Sequence, residues 1–133
     1  MVDPQVLNGW ELNPGASEES VRGAQEALGR RLPGDYIAFL REHDGGEGAV
    51  GDRYVVLWKS GELAQFNREY EVQEYAPGLV LFGSNGANEG YGFDARDGAM
   101  RVVMIPFIGM DLRHARPMAD TFESFLTRLR SAR

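Results

Sequence analysis

Apolar side chains recur at intervals of three and four residues in four segments of the chain, a spacing that places them on one face of a helix. The four stripes are Val21, Ala24 and Leu28; Tyr36, Phe39 and Leu40; Leu63, Phe66 and Tyr70; and Phe122, Phe125, Leu126 and Leu129. The pattern predicts two N-terminal helices, a middle helix and a C-terminal helix. We expect the last helix to pack its apolar stripe into the core.

Polar and turn-forming residues beside these stripes predict where the helices begin and end. Ser17 and Ser60 are suited to cap the first and third helices, and Asp120 with Glu123 matches a capping box for the last. The helix ends are marked by residues that favour a left-handed or non-helical backbone. The expected ends are Gly29 for the first helix, residues 44–46 (DGG) for the second and the residues before Pro77 for the third.

Four other segments are rich in β-branched and aromatic residues, which favour strands. They cover residues 53–58, 79–82, 91–95 and 100–105. A turn at residues 96–98 joins the last two, so these strands should pair as an antiparallel hairpin. The prediction is an α+β fold in a single domain over residues 1–133, with an antiparallel sheet of four or more strands on which the helices pack. The residues expected in its core include Leu40, Leu57, Phe82 and Phe125.

Composition removes several classes of function. The chain has 133 residues, of which 43% are hydrophobic and 26% charged, close to the averages of globular domains. Its apolar runs fall far short of the roughly 20 residues that span a bilayer, and an acidic residue stands near the start, where a secretory signal carries basic ones. Without cysteine, disulfides, cysteine-ligated zinc and thiol nucleophiles are excluded. We expect a cytoplasmic protein that does not contact the membrane.

Negative charge is concentrated in the middle of the chain. Residues 42–97 contain eleven acidic and four basic residues, a net charge of −7, whereas the whole chain has a net charge of −6. Binding to nucleic acid depends on clustered Lys and Arg, so direct contact with nucleic acid is not expected. The acidic block is either a solvated surface or a docking surface for a basic partner.

Catalytic and cofactor motifs are incomplete. The glycine-rich residues 83–92 join two predicted strands and contain no Lys, unlike a phosphate-binding loop. Phe82 stands where a nucleophile elbow around Ser84 would need glycine, and neither His43 nor His114 has metal-binding spacing. We therefore expect no cofactor, no metal and no enzymatic activity. A small hydrolase that uses a pair of carboxylates remains as a remote alternative.

Five short motifs follow one another along most of the chain. They are residues 32–40 (LPGDYIAFL); residues 44–46 (DGG); Leu57 and Trp58 with Glu62, Leu63 and Asn67; residues 81–86 (LFGSNG) before residues 91–94 (YGFD); and residues 119–126 (ADTFESFL). Together they resemble the SUKH superfamily, which groups bacterial immunity proteins with fungal regulators of cell-wall synthesis and killer-toxin resistance. The resemblance implies an α+β fold and a binding role, such as neutralising a toxin by direct contact. A regulatory adaptor in cell-wall synthesis or signalling is the alternative that it leaves open.

The candidate partner-binding residues are acids at the ends of predicted helices and strands. They are Asp44, Glu47, Asp52, Glu89 and Asp94. A nuclease toxin that grips phosphates must be basic, so an acidic surface would steer an immunity protein to it. We therefore predict that the acidic segment and the glycine-rich loop form one binding face for a protein partner such as a basic toxin domain. The alternative is that these acids are scattered, solvated charges.

Overall fold

The computed structural model describes Val2 and residues 4–131 of the chain. Within these residues it contains five α-helices and seven strands. The helices are α1 (Glu18–Leu28), α2 (Gly34–Glu42), α3 (Ser60–Glu69), α4 (Val72–Tyr75) and α5 (Phe122–Ser131). The strands are β1 (Glu11–Leu12), β2 (Gly46–Val50), β3 (Arg53–Leu57), β4 (Leu79–Ser84), β5 (Glu89–Asp94), β6 (Arg101–Pro106) and β7 (Arg116–Ala119).

All seven strands form one sheet in which spatial order follows chain order, from β1 at one edge to β7 at the other. Every neighbouring pair is antiparallel. The predicted α+β fold, with an antiparallel sheet of four or more strands, is therefore confirmed. None of the helices in the described part of the chain has the length and hydropathy needed to cross a membrane.

Two adjacent rows of residues cross the sheet and point to its opposite faces, because neighbouring residues of a strand alternate between faces. One row consists of Leu12, Gly46, Leu57, Gly83, Tyr91, Met104 and Arg116. The other consists of Glu11, Glu47, Val56, Ser84, Gly90 and Ile105. Since the ring of Tyr91 lies 4.8 Å from that of Phe125 in α5, the first row faces α5. The second row defines what we call the outer face.

An aromatic cluster forms the core between the sheet and helices α2 and α5. The ring of Tyr36 lies 5.0 to 5.6 Å from the rings of Phe82, Phe93 and Phe122. Edge-to-face contacts of this kind add to the stability that comes from burying apolar surface. The four residues predicted to be in the core, Leu40, Leu57, Phe82 and Phe125, are all buried. The packing of the C-terminal helix, through Phe122, Phe125 and Leu126, is also confirmed.

Helix α1 begins and ends as predicted, but α2 and the middle helix end early. The hydroxyl of Ser17 accepts a hydrogen bond from the Ser20 N–H, and Gly29 adopts a left-handed conformation. Helix α2 ends at Glu42 and not at residues 44–46, because Gly46 is already part of β2. The middle helix does not run to Pro77: Glu71 takes a left-handed backbone conformation, with φ of 54°, and separates α3 from α4.

The predicted capping box of α5 is wrong by one residue. The Ser124 N–H donates to the Thr121 hydroxyl, and the Thr121 N–H donates to the Ser124 hydroxyl. Asp120 instead forms an ion pair with Arg101. The N–H of Glu123 donates to a carboxylate oxygen of Asp35 in α2. A cap on α5 thus comes partly from a distant helix.

Candidate binding site on the outer face of the sheet

A cleft of about 380 Å³ opens on the outer face where β1, β2 and β3 meet the start of α3. Three carboxylates line it, those of Glu11, Glu47 and Glu62, together with Lys59. Glu11 and Glu47 stand directly opposite each other on neighbouring strands, and like charges in this position destabilise a sheet. Local arrangements that lower stability tend to occur at functional sites. This cleft is therefore the first part of the candidate site.

Hydrogen bonds hold two of these carboxylates in place. The hydroxyl of Tyr54 donates to Glu47 Oε2 at 2.6 Å. This bond, reinforced by the negative charges of Glu47 and Glu11, raises the pKa of Tyr54. The backbone N–H of Lys59 donates to Glu62 Oε1 at 2.9 Å, as a glutamate in the first turn of a helix commonly does. The acidic groups are thus oriented by the sheet and by the start of α3.

The start of α3 is fixed by Asp44, whose Oδ1 accepts a hydrogen bond from the Ser60 N–H at 2.7 Å. The Ser60 hydroxyl also lies 2.6 Å from the hydroxyl of Ser20 in α1. The predicted capping role of the Ser60 side chain is therefore taken by Asp44, and Ser60 links α3 to α1. These bonds set the position of the helical wall of the cleft.

A row of stacked rings leads away from the cleft along the outer face. The ring of Trp58 lies 4.8 Å from Phe66 and 6.2 Å from Tyr70, and Tyr70 stacks on Phe107 at 4.2 Å, measured between ring centroids. We call Trp58, Tyr70 and Phe107 the aromatic ladder. Trp58 is also part of the cleft wall, so the ladder begins at the acidic cleft.

Gly90 leaves room for the Phe107 ring at the far end of the ladder. A Cβ atom at this position would lie 2.9 Å from Phe107 Cε1, closer than side chains normally approach, so glycine lets the Phe107 ring lie against β5. Ile108, the next residue along the chain, is 89% exposed, and Tyr70 is 40% exposed. The ladder therefore ends in apolar groups that are open to solvent.

The glycine-rich loop, residues 85–88 between β4 and β5, borders the same face. A Cβ atom on Gly86 would lie 3.2 Å from the Tyr54 ring. At the other end of the loop, the Phe107 N–H donates to the Asn88 carbonyl oxygen at 2.9 Å. The loop thus lies between Tyr54, beside the acidic cleft, and Phe107, at the end of the ladder.

The sequence of residues 15–128 matches the SMI1 / KNR4 family (SUKH-1). The chain belongs to this family. The resemblance deduced from the motifs is confirmed, and the match spans every helix and strand except β1 and the end of α5. No curated protein matches the chain.

In this SUKH-1 chain, the five acids predicted to bind a partner are spread over different parts of the fold. Glu47 lines the cleft, and Asp52 is exposed in the turn between β2 and β3. Asp44 caps α3. Glu89 and Asp94 begin and end β5, so they lie roughly 17 Å apart at about 3.4 Å per residue. The fold brings Glu47 and Asp52 onto one hairpin and does not bring all five together.

Arginine side chains neutralise the two acids of β5. Glu89, on the same face as Tyr91, accepts from Arg116 at 2.9 Å. Both carboxylate oxygens of Asp94 accept from Arg96, at 2.9 and 2.8 Å. The Arg96 guanidinium lowers the pKa of Asp94. These two acids therefore offer a partner less uncompensated charge than Glu11 and Glu47 do.

Sequence reasoning missed Glu11, Glu62 and the exposed rings of the SUKH-1 surface. Glu11 lies outside the acidic block, and nothing in the sequence pairs it with Glu47, 36 positions away. A usable signal existed for Tyr54, because it alternates with the buried Val55 and Leu57 in β3. Alternation of this kind identifies the residues on the second face of a strand.

Metal ligands and carboxyl groups with a shifted pKa are the other chemical candidates in the described part of the chain. No group of three or more His, Cys, Asp or Glu residues there could hold a metal ion. Glu74 has a raised pKa, because its carboxyl is hydrogen-bonded to that of Glu71 and is close to its charge. Both side chains are exposed and line a second cleft of about 390 Å³, beside Arg68 and Gln73.

Proposed function

We propose that this SUKH-1 chain is a non-catalytic protein-binding domain that acts as an immunity protein and neutralises a cognate bacterial toxin by direct contact. The observation that carries the proposal is the position of Glu11 opposite Glu47, with Glu62 in the same cleft. Membership of the SUKH-1 family is compatible with an immunity role.

The charge of the cleft favours a basic partner. Its lining carries three carboxylates and one ammonium group, that of Lys59. A toxin that acts on nucleic acid needs Lys and Arg to grip phosphates, and a carboxylate surface of opposite sign would both attract it and cover those residues. Binding at the outer face would then block the toxin without any reaction by the immunity protein.

The proposal predicts that a toxin domain is encoded beside the gene for this chain, and that domain provides the test. Its expression in a bacterial host should arrest growth, and co-expression of this chain should restore growth. The purified proteins should form a complex that does not require metal or nucleotide. Failure to restore growth, or the absence of a complex, would overturn the immunity function. A complex with a cellular protein, without toxin neutralisation, would instead point to a regulatory adaptor.

The role of the cleft is tested by charge reversal. Exchanging Glu11 and Glu47 for Lys should reduce the association rate with the toxin by about tenfold at low salt and weaken its dependence on salt. The matched control exchanges Glu18 and Glu19 for Lys at the exposed start of α1, which makes the same change in net charge. Equal effects of the two double variants would show that overall charge, and not the cleft, controls association.

A further inference from the structure

Apolar groups at the end of the aromatic ladder are partly open to solvent. Tyr70 and Ile108 are large hydrophobic residues exposed on the surface, and Phe107, which precedes Ile108, joins them through its stack on Tyr70. Isolated exposed apolar residues are normal on protein surfaces, whereas a contiguous patch rimmed by polar groups is typical of an interaction site.

Acidic residues lie beside the start and the middle of the ladder. Glu62 lines the cleft that Trp58 also lines, and the exposed Glu69 directly precedes Tyr70 in the chain. A partner that covers the rings would lie close to these carboxylates, which favours a basic protein. A second copy of this chain is disfavoured, because it would bring the same carboxylates against one another.

We propose that the aromatic ladder, together with Ile108, is the apolar anchor of the interface whose charged part is the acidic cleft. Its occupant is a basic protein that places apolar side chains on Tyr70, Phe107 and Ile108 while its Lys or Arg side chains enter the cleft. This inference rests on the proposed function, since it assigns the partner's contacts at the same site.

The stacking explains why the rings suit an anchor. Tyr70 is held between Trp58 and Phe107, with interplanar angles of 11° and 12°. A side chain that is already ordered loses little conformational entropy when a partner covers it. Buried aromatic residues commonly dominate interface energy, while the surrounding polar rim excludes water. The cleft should therefore govern association, and the ladder should govern dissociation.

The first test measures kinetics with the toxin domain used to test the proposed function. Replacing Tyr70 by Ala, or Ile108 by Ser, should raise the dissociation rate by tenfold or more, with little change in the association rate. Because Ile108 is almost fully exposed, its variant tests the anchor without disturbing the fold. The matched control is Tyr75→Ala: Tyr75 is 52% exposed and has no ring contact within the described part of the chain. Unchanged dissociation for both ladder variants, or an equal change for the control, would overturn the inference.

The second test does not depend on the toxin and uses a synthetic peptide of alternating Arg and Leu as the probe. In NMR titrations it should shift the Ile108 methyl signals and the ring signals of Tyr70 and Phe107. Matched peptides of Arg and Gly, or of Glu and Leu, should shift these signals far less. Equal shifts with the Arg and Gly peptide, or no shift at the ladder, would overturn the inference even if the toxin is neutralised.

Sedimentation of the free protein tests whether a second copy of the chain covers the ladder. We expect a monomer whose sedimentation is unchanged by Tyr70→Ala. A dimer that this substitution dissociates would show that a second copy covers the ladder, which would also overturn the inference. If no toxin is neutralised but the Arg and Leu peptide still binds as expected, the proposed function fails and the assignment of the basic, apolar ligand remains.

Discussion

The side-chain amide of Asn67 pairs with both backbone groups of Leu81. Asn67 Nδ2 donates to the Leu81 carbonyl oxygen at 2.9 Å, and the Leu81 N–H donates to Asn67 Oδ1 at 2.8 Å. Strand β3 pairs with β4 at only two positions. Next to this short pairing, the Asn67 side chain of α3 supplies the hydrogen-bond partners that the backbone of β4 would otherwise lack. Asn67 also donates to the Leu63 carbonyl oxygen. The amide thereby attaches the helix that forms one wall of the cleft to the sheet.

Replacing Asn67 by Leu should destabilise the fold, although the two side chains are similar in size. The substitution leaves the buried N–H and carbonyl of Leu81 without their partner, and each unsatisfied group costs about 1–3 kcal/mol. We expect the free energy of unfolding, measured by urea denaturation, to fall by about 2–5 kcal/mol. Gln65→Leu, at an exposed position of the same helix, should change it by less than about 0.5 kcal/mol. Similar losses for both variants would show that the amide contributes nothing specific.

Asp44 should contribute to stability and not directly to binding. Asp44→Ala removes the acceptor of the Ser60 N–H, and the loss of a helix cap typically costs about 0.5–2 kcal/mol. Asp44→Asn should recover most of this loss, since an amide oxygen can also accept the bond. Thermal denaturation of both variants, compared with Asp52→Ala in the exposed turn, checks this prediction. A stable Asp44→Ala variant that binds the toxin more slowly would contradict it.

Truncation of Phe82 should have the largest effect on stability of the substitutions considered. Its side chain is 1% exposed. The rings around it, at centroid distances of 4.6 to 5.8 Å, are those of Tyr36, Phe93, Phe122 and Phe125. Phe82→Ala should lower the free energy of unfolding by about 3–5 kcal/mol. In the same urea titration, Ile108→Ala should leave it nearly unchanged, and comparable losses would refute the assigned core.

Removal of the Tyr36 hydroxyl should not weaken the protein. The hydroxyl is buried and has no hydrogen-bond partner among the described residues, and such a group costs about 1–3 kcal/mol when desolvated. Tyr36→Phe keeps the ring contacts with Phe82, Phe93 and Phe122. We expect the free energy of unfolding to stay constant or to rise by about 1 kcal/mol. A clear decrease in chemical denaturation would show that the hydroxyl is bonded.

Tyr36 should also make the fold sensitive to alkali. Burial first, and then the charge of Asp44, raises the pKa of Tyr36 above its usual value of 10.0. Above pH 10 the unfolded chain releases the phenolic proton while the folded chain retains it, so stability is present below this pH and falls as pH rises. One such proton corresponds to about 1.4 kcal/mol per pH unit. Denaturation between pH 9 and 11 should therefore show a shallower decline for Tyr36→Phe than for the parent, and equal slopes would contradict the prediction.

Local interactions made several elements predictable from the sequence. Helix α1 is capped at its start by Ser17, whose hydroxyl accepts a hydrogen bond from the N–H of Ser20 three residues later, and at its end by Gly29. The strands β3 to β6 coincide with runs of β-branched and aromatic residues, because these side chains suit a pleated, buried surface. The family could be deduced because its motifs lie within such elements and occur in order along the chain.

Strands β1, β2 and β7 form through pairing with other segments of the chain and not through their own residue preferences. Strand β2 contains Gly46, Gly48 and Ala49, residues with little preference for strands, and it forms because all five of its residues pair with β3. Strand β1 is two residues long and exists through its pairing with β2. Pro117 in β7 likewise carries no strand signal of its own, although the edge of a sheet tolerates proline.

The family, the α+β architecture, the core and the acidic character of the middle segment could be predicted from the chain alone, because periodicity, caps and charge are properties of neighbouring residues. Which acids and rings share a surface became known from the folded structure. Register sets Glu11 against Glu47, and folding stacks Tyr70 between Trp58 and Phe107. These contacts join segments that are distant along the chain, so no local pattern encodes them; they follow from the packing of the whole sheet against α3.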